Sequence, residues 1–536
     1  MNALDVALAR GKETPFLNVM RTKWSEFGNV ASPALNHVWT QIEATLNRQA
    51  GTDARDVWPV IPCELGAGKS TAAKAWCATD ATRPGVLIVV PTKDQADEYA
   101  RDINTWSGVP GLAFAHHSGL PLAARQNLDA LASYPVLIVC HKSYELGLDD
   151  FAVDVSRLKF EKMHRYGRDG QRALVVIDKS LDQVHEERIR RDALKELLSK
   201  LPRAVEKVHL DAMRVIESVN SALRAAPDER NRTFSTTELL ALTSFTADQA
   251  DALLLALWEQ GLRGAKIEPE LRARLGQTLS ALRRHLSAYR RTAGDGKLTA
   301  LTGHRLLLLP PSTHGVVFDA TARLNNVYLG RPSEFEVQRT TQVRDYSTVT
   351  VYDARTNETG KRAATENGER LAADTIAALR EHYGDRAGER RVLVVVAKDG
   401  EEHFRTVGTG AGFAAFDMAH WNKIDGRNDW RDFDTLCVAT LPYANDSLDL
   451  NTYMAVNEKE LDDAALNAPP DEVKLIRENR IAAQLAQAMG RIRLRTMTRM
   501  TARASPATFF SACRTASGWS TRTASSTRSS APCPAS

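Results

Sequence analysis

The stretch Ile61-Pro62-Cys63-Glu64-Leu65-Gly66-Ala67-Gly68-Lys69-Ser70-Thr71 carries the clearest chemistry in the chain. Glycines at 66 and 68 let the backbone turn so that its N–H groups point at a phosphate chain. Those at the start of a following helix, expected from Thr71 to Cys77, add to them. Lys69 is placed for β- and γ-phosphates, and the Ser70 hydroxyl for magnesium. The pattern G-x-x-x-x-G-K-[ST] departs at its first position, where Cys63 stands in place of glycine. The bland alternative is a glycine-rich turn with an incidental lysine. The apolar run Val57–Ile61 before the loop favours the phosphate reading, because strand–loop–helix is the context that loop requires. Gly66, Ala67, Gly68, Lys69, Ser70 and Thr71 are therefore the expected nucleotide-binding set, with ATP and Mg2+ as ligands.

A second element is Leu174-Val175-Val176-Ile177-Asp178. An acid at the end of a buried strand can hold magnesium through water, so Ser70 and Asp178 form the expected metal pair. The competing reading of Asp178 is a cap on the next helix.

The elements that must position these groups are legible as apolar runs. Val57–Ile61, Val86–Val90, Val136–Val139 and Leu174–Ile177 each precede a polar or glycine-containing turn and a helical stretch. Continuous apolar runs of this length fit parallel strands covered on both faces, with chemistry at their carboxyl ends. Pro59 cannot donate to a ladder and fits best near its strand's start. Ahead of them, residues 1–55 read as helical, with Trp24, Phe27, Trp39, Ile42 and Leu46 on an apolar face. Residues 186–300 are charge-rich and helical in period. Within them, 236–262 fits either a helix-turn-helix or part of a helical bundle, the latter preferred. Apolar runs return at Leu306–Leu309, Val316–Phe318, Val349–Val351, Val392–Val396 and Leu436–Val438, which predicts a second α/β unit. Residues 501–536 contain no Leu, Ile, Val, Asp, Glu or Lys. Such a segment cannot bury enough apolar surface to fold alone; it reads as a disordered tail or as translation in a shifted frame.

With both elements in view, the chain resembles a superfamily 2 helicase of the DEAD/DEAH type. Val90–Asp97 is similar to motif Ia, and Val139-Cys140-His141-Lys142 to a strand-end segment with Cys140 where the family has threonine. Phe318-Asp319-Ala320-Thr321-Ala322 is similar to motif III, Asp434–Thr440 to motif V, and Gln487-Ala488-Met489-Gly490-Arg491-Ile492-Arg493-Leu494-Arg495 to motif VI. The resemblance implies two RecA-like doubly wound parallel-sheet domains closing on ATP. Its boundaries are a helical segment 1–55, a first domain 56–185 with a return at 301–334, a helical insertion 186–300, a second domain 335–496 and a tail 497–536. Catalytic positions carried over are Lys69, Asp178, Lys179, Gln487, Arg491 and Arg493, the finger being Arg491, Arg493 or Arg495. Nucleic-acid contacts carried over are Pro91, Thr92, Lys93, His141, Lys142 and Thr440, with DNA expected ahead of RNA.

One departure matters most. The family's motif II begins Asp-Glu, and this chain has Asp178-Lys179. A lysine, cationic at neutral pH, cannot take the proton of an attacking water. Hydrolysis is therefore expected to slow by roughly 10²–10⁴-fold unless another carboxylate substitutes; Asp182 and Glu186 are nearby in sequence. Two alternatives follow: an ATP-gated nucleic-acid-binding protein without turnover, or an inactive product of a decayed gene.

Composition bounds the rest. At 536 residues the chain exceeds one ordinary core, and its net charge of +4 argues against a strongly cationic nucleic-acid packager. Its six cysteines show no CxxC pairing, which disfavours zinc sites and disulfides. With no apolar run long enough to span a bilayer and no signal-like start, a cytoplasmic location is expected. His116-His117 is not read as a metal site. Trp421 and Trp430 fit core packing better than base stacking.

Overall fold

The computed structural model describes residues 13–51, 56–82, 85–148, 154–168, 170–225, 232–287, 290–293, 300–310, 313–347, 349–353, 361–424, 429–442, 446–492, 507–511 and 520–523. The chain is α/β, with two main sheets that are parallel but for one edge strand. In the first sheet the strand order is Phe335–Val337, Trp58–Ile61, Gly315–Phe318, Leu174–Asp178, Val86–Val90, Val136–Cys140, Ala113–His116, all parallel. Val86–Val90 and Leu174–Asp178 are buried along their whole lengths, as strands covered on both faces must be. Ile88, Val176 and Phe318 pack into one face, and Val89, Val175 and Ile177 into the other. Pro59 takes the second place in its strand, and the N–H of Trp58 before it donates to Glu334 O.

Helices Pro15–Glu26 and Pro33–Ala50 open alike, with a hydroxyl cap (Thr14, Ser32) and proline in the first turn. They bury Trp24, Trp39, Ile42 and Leu46 against the first face. Phe27 departs from that apolar group: it follows the end of its helix and is 65% exposed.

Two expected boundaries shift. Residues 335–337 pair with Trp58–Val60, and Gln338 N donates to Val60 O, so the first lobe continues past 334. The insertion is also not purely helical. Val184–Arg190, Ala300–Leu306, Arg290–Ala293 and Arg232–Thr233 form a four-stranded antiparallel sheet. Leu307–Leu309, read as part of a strand, lie beyond its end. Helices Arg191–Lys200, Leu210–Ala225, Ala247–Ala256 and Pro269–Ser287 belong to this unit. Its separate core includes Ile189, Leu194, Val215, Leu254 and Leu282. Within 236–262 the first helix is one turn, Thr236–Leu239, closed by a Ser235–Glu238 capping box, and Leu239, Leu254 and Leu257 are buried in that core.

The second sheet runs Ala415–His420, Arg391–Val396, Thr435–Val438, Ala507–Ser511, Val349–Asp353, Ser520–Thr523, parallel except for the last strand. Two of its strands come from the segment expected to lack structure of its own. A strand can join through backbone hydrogen bonds to a sheet whose core is built elsewhere, here by Leu393, Val395, Leu436 and Val438. Among the described residues no helix is long and apolar enough to cross a membrane.

Candidate nucleotide site between the lobes

Both glycines of the loop have left-handed backbones, φ +74° at Gly66 and +85° at Gly68. A side chain at Gly68 would also press on Met20, Trp24 and Trp39. Helix Lys69–Ala78 starts from Gly68, so its first amides open onto the loop. The N-terminal helices clamp the turn from behind, Trp39 Nε1 donating to Ala67 O at 2.9 Å. Lys69 Nζ bridges the loop, donating to the carbonyls of Cys63 at 2.7 Å and Glu64 at 3.1 Å. Cys63 is fully buried and its thiol pKa is pushed up by burial, so it acts as a small packing residue at the position of the missing glycine.

Asp178, 3% exposed, sits opposite. Its Oδ2 accepts from Ser70 Oγ at 2.7 Å and from Tyr99 OH at 2.6 Å. Burial, reinforced by the Asp178 charge, raises the Tyr99 hydroxyl well above its usual pKa and keeps it a donor. A hydroxyl and a carboxylate in direct contact are hard oxygen donors that fit magnesium, which takes few protein ligands and fills its shell with phosphate oxygens and water. Accordingly, no group of three metal-ligating side chains is needed, and none occurs among the described residues. Lys179 follows with φ +71°, a left-handed backbone costing about 1–3 kcal/mol for a non-glycine residue. Its N–H donates to Phe318 O at 2.8 Å, joining it to the neighbouring strand's end.

Gln487 and Arg491, at the end of helix Asp471–Met489, line the same cleft of about 410 Å³ as Gly66, Lys69, Ser70, Asp178 and Lys179. The approach is close: a Cβ at Gly490 would meet the Leu65 side chain at 2.5 Å. Asn326 of the first lobe holds this helix through Ile476 O (3.2 Å) and Asn479 Nδ2 (2.9 Å). Arg493 and Arg495 lie outside the described residues, as do positions 426–428 between the two tryptophans.

The expected nucleic-acid contacts divide. Thr92 caps helix Lys93–Ser107, and Thr92, Lys93 and Lys142 are exposed, with Pro91 half-buried beside them. His141 instead turns inward, Nε2 lying 2.9 Å from Asp178 O, and burial lowers its pKa to about 4. Thr440 is fully buried, its hydroxyl accepting from Ala397 N at 2.7 Å, so it presents nothing to a strand. Trp430 is in the core, donating to Asp417 Oδ2, and Trp421 Nε1 donates to Thr440 O. His117 Nε2 lies 2.9 Å from Asp97 Oδ1, an acidic partner that spacing did not suggest.

Several cleft groups were not legible as site residues. Arg431 enters from the second lobe, and Trp24, Phe27 and Asn29 form a rim from the first. A strap between the lobes also reaches the loop. Arg344 donates to Leu65 O and to Gly66 O, while Glu64 accepts from Val343 N and Tyr346 OH. Glu64 is the one polar side chain among the four variable positions 64–67 of the loop pattern, which is the available signal; burial raises its carboxyl pKa.

The loop at 66–71 and the helix end carrying Gln487 and Arg491 thus meet across one cleft between two largely parallel sheets. No protein-family model matches the chain, and no curated protein is similar to it in sequence. Among solved structures it is similar to Xpd4 of S. tokodaii, at 14% identity and a TM-score of 0.48 over 85% of this chain and 91% of that one. It is similar to S. cerevisiae Dbp5 bound to RNA and ADP BeF3, at 9% identity and TM-score 0.37 over 91% and 88%. A third is the DUF1998 helicase MrfA bound to DNA and AMPPNP, at 10% identity and TM-score 0.37, covering 94% of this chain and 50% of that one.

Proposed function

We propose that the chain is an ATP-dependent nucleic-acid translocase or helicase in which Lys179 stands in the place of the general base, so that hydrolysis is slowed unless another carboxylate serves. The observation that carries the reading is the single crevice lined by the loop at 66–71 and by Gln487 and Arg491. The loop amides and Lys69 bind the phosphates, Lys69 exchanging the Cys63 and Glu64 carbonyls for phosphate oxygens. Ser70 and Asp178 would hold Mg2+, which supplies neutralising charge to the phosphates. Arg491 enters from the other lobe, and its planar fork matches a terminal phosphoryl group. Because the arginine and the loop sit on different lobes, a nucleotide favours the closed arrangement. Lys93, Lys142 and the capped helix start at Thr92 face outward, where they suit a phosphate backbone and make binding salt-dependent.

ATP turnover with and without single-stranded DNA or RNA tests this, beside nucleotide binding by Lys69→Ala. That variant should lose affinity on the order of 100-fold or more, since it removes a buried cation from its anion site. Equal affinity in both proteins would refute the site. Lys179 in the cleft favours a second reading, an ATP-gated binder without turnover; nucleotide-dependent nucleic-acid binding with no phosphate release would select it.

A further inference from the structure

Acidic groups near the cleft are nearly all committed. Asp178 Oδ2 accepts from Ser70 and Tyr99 on the metal side. Glu98 is paired with Lys74 Nζ at 2.8 Å. Asp182 and Glu186, the acids nearest in sequence to the missing glutamate, do not line the cleft. The Asp182 backbone N–H is bound by Glu145, and Glu186 accepts from Ser447 Oγ at 2.8 Å. Asp319 differs. It lines the cleft and is 3% exposed. Its Oδ1 accepts the amide and hydroxyl of Thr321 at 2.8 and 2.7 Å, which fixes the carboxylate's orientation. Its Oδ2 is buried and receives no hydrogen bond among the described residues. A buried carboxylate oxygen left without a donor is costly, so such an oxygen is retained where a working partner arrives.

Sheet register places this acid. Phe318 pairs with Asp178 on adjacent parallel strands, so Asp319 and Lys179 leave neighbouring strand ends one residue later. We infer that Asp319 is the catalytic base for ATP hydrolysis in this chain, the carboxylate having moved one strand across from the position that Lys179 occupies. The inference rests on reading the cleft as a nucleotide site. Asp319 Oδ2 takes a proton from the attacking water as the water oxygen bonds to the terminal phosphorus. The bridging P–O bond breaks, ADP leaves with the electron pair, and the proton passes from Asp319 to solvent. Thr321 holds the other oxygen throughout.

The test compares full-length wild type with Asp319→Asn, Lys179→Glu and the double variant. Two quantities are measured: Mg–ATP turnover on single-stranded DNA, and the affinity of a fluorescent non-hydrolysable ATP analogue with Mg2+. Asparagine keeps the Oδ1 acceptor for Thr321 but cannot take a proton. Asp319→Asn should lower turnover roughly 10²–10⁴-fold while analogue affinity stays within about threefold. In the Lys179→Glu background, where a family-type glutamate is restored, the same change should cost less than about tenfold, a non-additivity expected of two groups serving one role. Unchanged turnover in Asp319→Asn overturns the inference. So does an equally large loss in the double variant, or loss of analogue binding in Asp319→Asn. Wild type that binds analogue but never turns over overturns it and leaves the nucleotide site standing. Failure of wild type to bind analogue removes that underlying reading as well.

Discussion

The two walls of the cleft are held in different ways. On the first-lobe wall Lys69 is held by loop carbonyls and Asp178 by Ser70 and Tyr99, all within that lobe, and Met20, Trp24 and Trp39 leave no room for a side chain at Gly68. The second-lobe wall consists of Gln487 and Arg491 on one helix end and the exposed Arg431 on another segment. Its helix is anchored away from the cleft, by Arg477 and Arg480 on the fully buried Asp449 and by Asn326 across the lobes. Under the proposed function such a contrast suits a division of labour: a prebuilt wall that would bind the nucleotide and an incoming wall whose charge would count as the phosphoryl group departs. Asn326 begins the helix just beyond Thr321, so the same short segment touches the cleft and the arginine-bearing helix.

The largest expected effect breaks the comparison at its second wall. Arg491→Ala should lower turnover roughly 10³-fold or more, the range of a transition-state arginine, while leaving nucleotide affinity within about tenfold. A parallel loss of affinity would mean that both walls bind alike. Acid sharpens the first wall. His141 titrates near 4 in the folded chain against 6.5 unfolded, because burial disfavours its cation. The unfolded chain therefore holds more protons between those values, and stability must fall as pH drops from 6.5 toward 4. Burial of this kind is worth roughly 1–3 kcal/mol at the site. Urea unfolding of wild type and His141→Asn across that window should show a shallower acid slope in the variant. Equal slopes would assign the acid limb elsewhere.

What the sequence makes legible follows the range of the physics involved. The loop is local: two left-handed glycines and a lysine within four positions bring their own geometry, so 66–71 is readable without the rest. Val86–Val90, Leu174–Asp178 and Arg391–Val396 are readable because a strand buried on both faces must be apolar throughout. Val184–Arg190 is not, since Glu186, Glu187 and Arg188 stand on an antiparallel strand in which only Val184 and Ile189 are buried. Ala507–Ser511 is hidden for another reason: backbone pairing with two existing strands leaves no compositional mark. At the site, His141 and Thr440 matched motif positions by order along the chain. Whether a side chain faces a strand or the core depends on packing that order does not encode. Arg431, Arg344 and the burial of Asp319 are likewise products of tertiary approach, although Asp319 itself stood inside a recognised motif.

The smallest expected effect concerns what joins the two walls. Tyr346 OH donates to Glu64 Oε2 at 3.1 Å, tying the segment between the lobes to the loop, while Arg344 grips the carbonyls of Leu65 and Gly66. Tyr346→Phe keeps the ring and removes that one bond to a charged acceptor, worth about 1–3 kcal/mol. If the strap is a local fastening, amide exchange should quicken at 340–347 and in the loop, with the strand Val86–Val90 unchanged. Burial already raises the Glu64 carboxyl pKa and the tyrosine opposes that rise, so the variant should lift it further. An acid with a raised folded pKa loses stability as pH climbs from 4.5 through the elevated value, and the variant's strap should therefore loosen more on the neutral side of that range. Exchange that quickens equally in both lobes would show instead that the strap transmits strain across the whole cleft.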